Sequence, residues 1–357
     1  MVDWVKVGLN TLTVMGGLMG AALGLLYFFQ EKIIYVPRLP GIPNEYPYLP
    51  DAFGLSYEDV EVVAADGVRL HAWLMWAPHL DEAARRARPT VIFFQENAGN
   101  MAFRLHFMNA LARNLNVSAF IFSYRGYGRS EGTPSEKGLQ LDAVAAVEHV
   151  LRRTDIDPTQ VVLFGRSLGG AVAAYAATRL QRHVSGLVLE NTFTCIVDLV
   201  PHTLPFLRPL VGPGRFFNFL VRNHWDSRSR LAQLTDLPVF FMSAKHDEML
   251  PPQQMQELYD LHPEDPWRIV YFDDGRHLDA YDSHAAQYWP ALRLFLSTLG
   301  PAQPLPPAVE EGTQGSALQP LLQPQLRKEL QPPQEQEVVT AAAGAAGGVE
   351  AEARKER

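Results

Sequence analysis

From Val161 to Ala177 the chain passes from four apolar residues, Val161-Val162-Leu163-Phe164, through Gly165-Arg166-Ser167-Leu168-Gly169-Gly170, into the run Ala171-Val172-Ala173-Ala174-Tyr175-Ala176-Ala177. The apolar run predicts a short buried strand, and the small residues after it favour a helix. Ser167 therefore sits on a sharp turn between strand and helix. G-x-S-x-G turns of this kind hold the serine on strained backbone, so that Oγ stands clear of the sheet. Gly165 and Gly169 leave room where a Cβ would collide with neighbouring backbone, and Gly170 lets the helix start lie close to the sheet. The Leu168 N–H points to the same space as Oγ, at a helix N-terminus where negative charge is favoured. Taken alone, G-x-S-x-G recurs by chance; the strand before it and the helix after it give it meaning. No G-x-G-x-x-G or G-x-x-x-x-G-K-[ST] is present, which sets nucleotide binding aside.

The rest of the chain keeps the same rhythm. Val60 to Ala64, Asp66-Gly67, and Leu70 to Trp76 read as a β-hairpin. Further strands are expected at Val91 to Phe94, Ala119 to Phe122, Leu187 to Leu189, Val239 to Met242 and Ile269 to Phe272. Helical spacing covers Met101 to Asn114, Glu136 to Arg152, Gln253 to Leu261 and Ala285 to Leu296. Asp81 to Pro89 reads as a charged loop, and the proline-rich Leu39 to Pro50 as an extended linker on the surface. With the Val161–Phe164 strand this makes an α/β protein: a mostly parallel eight-stranded sheet covered by helices on both faces. In such sheets reactive groups gather in the loops beyond the carboxyl ends of the strands.

The two ends of the chain differ from this body. Val7 to Phe29 carries no charged residue and is long enough to cross a hydrocarbon core as a helix. No small-residue cleavage pattern follows it, so an uncleaved single-pass anchor over residues 1–35 is expected rather than a signal peptide. Lys6 on one side and Lys32 and Arg38 on the other leave the orientation open. From Pro301 the rhythm stops and Pro, Gln, Glu, Ala and Gly dominate, which predicts a disordered tail over 301–357 after a folded domain spanning 36–300. A net charge of −8 without a basic block argues against nucleic acid as a partner, and the single cysteine, Cys195, excludes an intrachain disulfide.

A serine nucleophile needs a base, and the base needs an orienting acid. Asp247 lies in a polar loop directly after the Val239–Met242 strand, with Glu248 next to it as a possible substitute. His277 follows the last strand and precedes the last helix. The order Ser167, Asp247, His277 is the one that an elbow on a parallel sheet requires. His277 would take the Ser167 proton and pass it to the leaving group, and Asp247 would fix the imidazole tautomer. The oxyanion donors expected are the N–H of Leu168 and, from the loop after Phe94, the N–H of Asn97. A nucleophilic role for Cys195 is disfavoured, and no ligand cluster with metal spacing appears, so neither a metal nor an organic cofactor is implied. Residues 201–230 interleave Leu204, Phe206, Leu207, Phe216, Phe217, Phe219 and Trp225 with five arginines. They read either as a packed helical insertion or as a cap, bounded at about 196–232, over an apolar entry for acyl chains.

Together, Asn97-Ala98-Gly99-Asn100, Tyr124-Arg125-Gly126-Tyr127-Gly128, Gly165-Arg166-Ser167-Leu168-Gly169-Gly170, Glu190-Asn191-Thr192-Phe193, Asp247 before Pro251-Pro252, and Asp274-Gly275-Arg276-His277 resemble the bud-emergence-like (Bem-like) α/β hydrolases of the plant "wavy growth" kind. The resemblance spans about residues 5–298. It implies an α/β-hydrolase fold with a helical cap and a serine hydrolase acting on esters or thioesters, with the family triad carried onto Ser167, Asp247 and His277. It also implies an acylated-protein substrate and a protein depalmitoylase as one version of the activity, while the anchor and the composition of the cap suggest a lipid-like ester or thioester, with the endoplasmic reticulum or plasma membrane as the expected location. The oligomeric state is left open. Many α/β hydrolases carry His-Gly where this chain has Gln95-Glu96. An ionised Glu96 aimed at the oxyanion site would oppose catalysis and favour a catalytically silent membrane scaffold. Pointing to solvent, or paired with Arg104 or Arg125, it would do no harm.

Overall fold

The computed structural model of the chain describes residues 4–42, 44–264 and 266–306, without the side chains of Trp4, Val5, Leu12, Leu18, Met19 and Ala22 in the first helix. Among them eight strands form one sheet: β1 (Ser56–Val63), β2 (Arg69–Trp76), β3 (Thr90–Phe94), β4 (Ser118–Phe122), β5 (Val161–Arg166), β6 (Gly186–Glu190), β7 (Val239–Ala244) and β8 (Trp267–Phe272). Their order is β1-β2-β4-β3-β5-β6-β7-β8, with β2 antiparallel to both neighbours and every other pair parallel. The helices are α1 (Trp4–Ile34), α2 (Glu82–Arg86), α3 (Leu105–Leu115), α4 (Glu136–Leu151), α5 (Leu168–Leu180), α6 (Ile196–Thr203), α7 (Ser227–Leu231), α8 (Pro252–Tyr259), α9 (Ala280–Ser283) and α10 (Ala285–Ser297). This is the α/β-hydrolase fold that the sequence points to.

The central strands are buried along their whole length, as parallel strands covered on both faces must be. Alternation along β5 shows how the two faces are filled. Val161 and Leu163 pack with the helices α4, α5 and α8, while Val162 and Phe164 pack with α3 and α10. In the register, Gly165 lies between Phe94 of β3 and Leu189 of β6. Ser167, two residues on, is thereby placed at the middle of the sheet's carboxyl edge.

Some local expectations change. The charged loop after β2 contains the short helix α2, started by Asp81, whose carboxylate accepts the Ala84 N–H at 2.7 Å. The linker is packed rather than merely laid down: the Tyr46 ring stacks on His71, and its hydroxyl lies 2.8 Å from His71 Nδ1. The cap consists of α6, α7 and two 3-10 turns, Pro205–Leu207 and Phe216–Leu220; Pro205, Gly212, Pro213 and Gly214 interrupt any longer helix, while Pro201 is accommodated inside α6. The chain stays on the domain through Pro306, where the Ala302 and Gln303 N–H groups donate to Thr159 and Arg182 carbonyls. Residues 307–357, where the tail is expected, lie outside the described residues.

The N-terminal stretch is one continuous helix, α1. Among the described residues, no helix is long and apolar enough to cross a membrane. Apolar residues of the expected span, Leu12, Leu18 and Met19, fall outside the described side chains, so the span is not shown. The C-terminal end of α1 is tied to the domain at two places. Val36, just past it, forms a parallel bridge with Ala98: the Val36 N–H donates to Asn97 O (3.0 Å), and the Gly99 N–H donates to Val36 O (2.9 Å). Tyr35 is buried against the cap, donating to Asn223 Oδ1 (2.8 Å) and accepting from Trp225 Nε1 (2.9 Å).

Tyr35→Phe leaves the buried Trp225 N–H without an acceptor, whereas Asn223 Oδ1 keeps the Glu136 N–H. Thermal unfolding of the variant is expected to show a loss of about 1–3 kcal/mol. An unchanged melting temperature would mean that this hydroxyl does not hold the cap to α1.

Candidate active site

Ser167 has φ 55° and ψ −125°, a conformation that a non-glycine residue adopts only when its surroundings enforce it. Here they do. Its N–H donates to Glu190 O (3.0 Å), and its carbonyl accepts from the Gly170 N–H (2.9 Å) and the Thr192 hydroxyl (2.8 Å). The two flanking glycines permit the turn: a Cβ on Gly169 would lie 1.9 Å from Phe94 O, and one on Gly165 would lie 2.2 Å from Gly169 O. Leu168 opens α5, so its N–H belongs to the first turn, which carries no intrahelical partner.

His277 and Asp247 come together from the loops after β8 and β7, with His277 Nδ1 2.7 Å from Asp247 Oδ2 and both side chains 2 % exposed. The other oxygen of Asp247 accepts the Met249 and Leu250 N–H groups, each at 2.8 Å. Those two bonds fix the orientation of the carboxylate. Glu248 does not take this place; its carboxylate accepts the His277 backbone N–H at 3.3 Å. No hydrogen bond joins Ser167 Oγ to His277 among the described residues. The backbone brings them near each other through Asn191. This residue follows Glu190, the acceptor of the Ser167 N–H, and its side chain donates to His277 O (2.8 Å) and accepts the Ala244 N–H (2.8 Å). Asn191 has φ 45°, a left-handed conformation that asparagine tolerates well. Its bridging of β6, β7 and the His277 loop was invisible in the sequence, where only the Glu-Asn-Thr-Phe motif marked it.

The loop after β3 is held by the tyrosines of the Tyr-Arg-Gly-Tyr-Gly motif. The Tyr124 hydroxyl donates to Gln95 O (2.9 Å), and the Tyr127 hydroxyl donates to Asn97 O (2.7 Å). The Asn97 side chain donates to Ile34 O at the end of α1 (3.0 Å). Its N–H has no partner among the described residues, and Asn97, Ser167 and Leu168 line the same cavity.

Glu96 turns away from that cavity. Its carboxylate is buried between Arg104, with which it forms an ion pair, and Arg166, whose Nη1 lies 3.2 Å from it. Arg166 also donates through Nε to Glu190 Oε2 (2.7 Å), which accepts from the Tyr288 hydroxyl (3.0 Å). The Phe107 ring lies 4.0 Å from the guanidinium. Burial pushes the Glu96 carboxyl up, but the two guanidiniums outweigh it and hold the group below its ordinary value. Of the two arginines expected to pair with it, Arg104 does so, while Arg125 is taken by Asp66 and Asp142. The part played by Arg166 was missed, because the variable position of the elbow gave no sign of it. Cys195 is half-buried, and burial pushes its thiol up to about 11, which leaves it unactivated.

The cavity at Ser167 measures about 260 Å³ and is lined mainly by apolar side chains from the cap, from Phe193 and Leu250, and from α1. Among the described residues no group of three or more His, Cys, Asp or Glu is placed to hold a metal ion.

Comparison with known proteins gives a consistent result. Residues 89–221 match the family model for the alpha/beta hydrolase fold. The chain is 42% identical over 293 residues to the alpha/beta hydrolase domain-containing protein WAV2 of Arabidopsis thaliana, covering 80% of this chain and 93% of the relative. It is 37% identical over 240 residues to protein bem46 of Schizosaccharomyces pombe, covering 67% of this chain and 77% of the relative. It is also 33% identical over 290 residues to an uncharacterized membrane protein of Saccharomyces cerevisiae, covering 80% of this chain and 96% of the relative. Among solved structures, an esterase of Pyrococcus furiosus superposes with a TM-score of 0.59 at 17% identity, over 74% of this chain and 98% of that one. That likeness is one of fold.

Glu96→Ala would leave two buried guanidiniums undercompensated, at a cost of about 3–5 kcal/mol. The stabilisation that Glu96 provides is present above its ordinary value of 4.5 and is lost as pH falls through its lower folded-state value. Melting curves should therefore show a large gap between wild type and Glu96→Ala at pH 7 that narrows as pH falls below 4.5. An equal gap at both ends would remove the ion-pair account.

Proposed function

The chain belongs to the Bem-like family of α/β hydrolases, and from that membership and the geometry of Ser167 we propose that it is a membrane-anchored serine hydrolase cleaving ester or thioester bonds through an acyl-enzyme. One observation carries the reading. A serine on a positive-φ elbow opens into an apolar cavity, with a buried His277–Asp247 pair held to the same strand end by Asn191.

The chemistry follows from the contacts. Asp247 accepts from His277 Nδ1–H, which leaves Nε2 as the base that removes the Ser167 proton. Oγ attacks the acyl carbon, and the negative charge gathers on the carbonyl oxygen. Leu168 N–H, at the positive end of α5, and Asn97 N–H would receive that oxygen; a single donor of this kind is worth about 2.7–4 kcal/mol of barrier. The imidazolium gives its proton to the leaving alcohol or thiol, and the acyl group stays on Ser167. Water, deprotonated by His277, then attacks the acyl-enzyme, and collapse of the second tetrahedral species frees the acid and Oγ. The objection that favoured a silent scaffold was an ionised Glu96 facing the oxyanion. With Glu96 bound to Arg104 and Arg166, that objection has no basis.

Support for membrane anchoring comes from the charge-free run Val7 to Phe29, from the outward apolar side chains Leu9, Val14, Met15, Leu25 and Phe28, and from the yeast relative named as a membrane protein.

The test is labelling with a fluorophosphonate probe together with ester turnover. Wild type should label and Ser167→Ala should not. Asp247→Asn should fall by about 10⁴-fold in kcat, since the imidazole loses its tautomer control. An unlabelled wild type that is folded would end the hydrolase reading.

A further inference from the structure

The helix expected to serve only as an anchor forms part of the cavity at Ser167. Leu23, Leu26, Tyr27, Gln30 and Ile34 recur at intervals of three and four, so they share one face, and that face lines the cavity. From Leu23 to Ile34 it extends about 16 Å along the helix axis. The opposite face carries Leu25, Phe28 and Phe29, all exposed. Thus α1 is apolar on both sides, with one side turned to the cavity and the other outward.

The polar side chains along this wall are already engaged. Gln30 donates to Leu220 O (3.1 Å) and accepts the Arg222 N–H (2.7 Å), which fastens α1 to the cap. Glu31 pairs with Arg222 at 2.6 Å, and the Arg222 guanidinium lies 5.1 Å from the Tyr27 ring. On the cap side, Thr203 donates to its own helix at Leu199 O. What remains is an apolar trough that contains the Ser167 hydroxyl, between a helix and a cap bolted to each other.

We infer that the inner face of α1, centred on Leu23 and Leu26, is the binding wall for the straight long-chain acyl group of the substrate, and so sets chain-length selectivity. The inference rests on the hydrolase reading and specifies its substrate class: an ester or thioester of a long unbranched acid. A trough of this kind binds chains progressively, each buried methylene adding about fourfold in affinity. A short acyl group would reach Ser167 without covering the α1 face.

The experiment uses the full chain in detergent micelles and compares wild type, Leu26→Trp and Leu25→Trp. Leu26 faces the cavity, whereas Leu25, one residue away, faces outward. The readout is the ratio of kcat/KM for p-nitrophenyl palmitate to that for p-nitrophenyl butyrate. The inference predicts that Leu26→Trp lowers this ratio at least tenfold and that Leu25→Trp leaves it within twofold of wild type. Equal ratios in all three, or equal losses in both variants, would overturn it. If Leu26→Trp fails to fold, Leu23→Phe repeats the comparison one turn earlier.

A second readout does not depend on catalysis. In the Ser167→Ala background, displacement of cis-parinaric acid by palmitate should weaken at least tenfold with Leu26→Trp and stay unchanged with Leu25→Trp. If the wild type proves unreactive to fluorophosphonate while this difference holds, the hydrolase reading fails and the acyl wall stands. If labelling succeeds and the difference is absent, the reverse is true. An S-palmitoyl peptide and monopalmitoylglycerol distinguish the two sources of such a chain: the inference predicts the tenfold loss on whichever the wild type cleaves, and its absence there would overturn it.

Discussion

Arg166 joins the carboxyl ends of the three central strands. From the last position of β5 it reaches Glu190 at the end of β6 and Glu96 just beyond β3. Two acids and two guanidiniums, with Arg104 as the fourth member, balance one another in a place that excludes water. Buried charges of this kind are tolerated only as a set, because losing one leaves the others uncompensated at several kcal/mol. The geometry above the set follows. Ser167 is the residue after Arg166, and Asn97 is the residue after Glu96. The Ser167 N–H is held by the backbone of Glu190 itself. The network thus fixes Ser167, the loop of Asn97 and, through Asn191, the His277 loop relative to one another.

A second set of contacts extends that frame outward. The Tyr124 and Tyr127 hydroxyls hold the Gln95–Asn97 loop on one side, while Val36 and Ile34 hold it from the end of α1. The same end of α1 is bound to the cap through Gln30, Glu31 and Tyr35. Helix, cap and loop therefore share their fixed points, so a displacement of α1 would be felt at Asn97, beside Ser167 in the cavity. This coupling gives a physical reason for the domain to keep α1 as part of its structure.

Much of this was legible in the sequence. Period and composition located the strands because buried parallel strands are written as unbroken apolar runs. The elbow was legible because its glycines are demanded by backbone approaches of 1.9 and 2.2 Å, which no other residue survives. The loops of Asp247 and His277 could be placed after strands from the sequence, and the structure pairs their side chains at 2.7 Å. Other features depend on direction rather than on local pattern. Whether Glu96 faces the oxyanion or the interior is decided by Arg166 and Arg104, one of them 70 residues away. The role of Asn191 depends on which loops lie beside it. The two faces of α1 were hidden because an apolar helix reads the same whether its neighbour is lipid or an apolar cavity. The short pieces of the cap follow its prolines and glycines.

The most direct test of the whole account is a structure of the full chain after reaction with a long-chain alkyl fluorophosphonate. The account predicts phosphorus bonded to Ser167 Oγ, its oxygen within hydrogen-bond distance of the Leu168 and Asn97 N–H groups, and the alkyl chain against Leu23 and Leu26. An adduct whose oxygen lies away from Asn97, or whose chain leaves the site without touching α1, would contradict it.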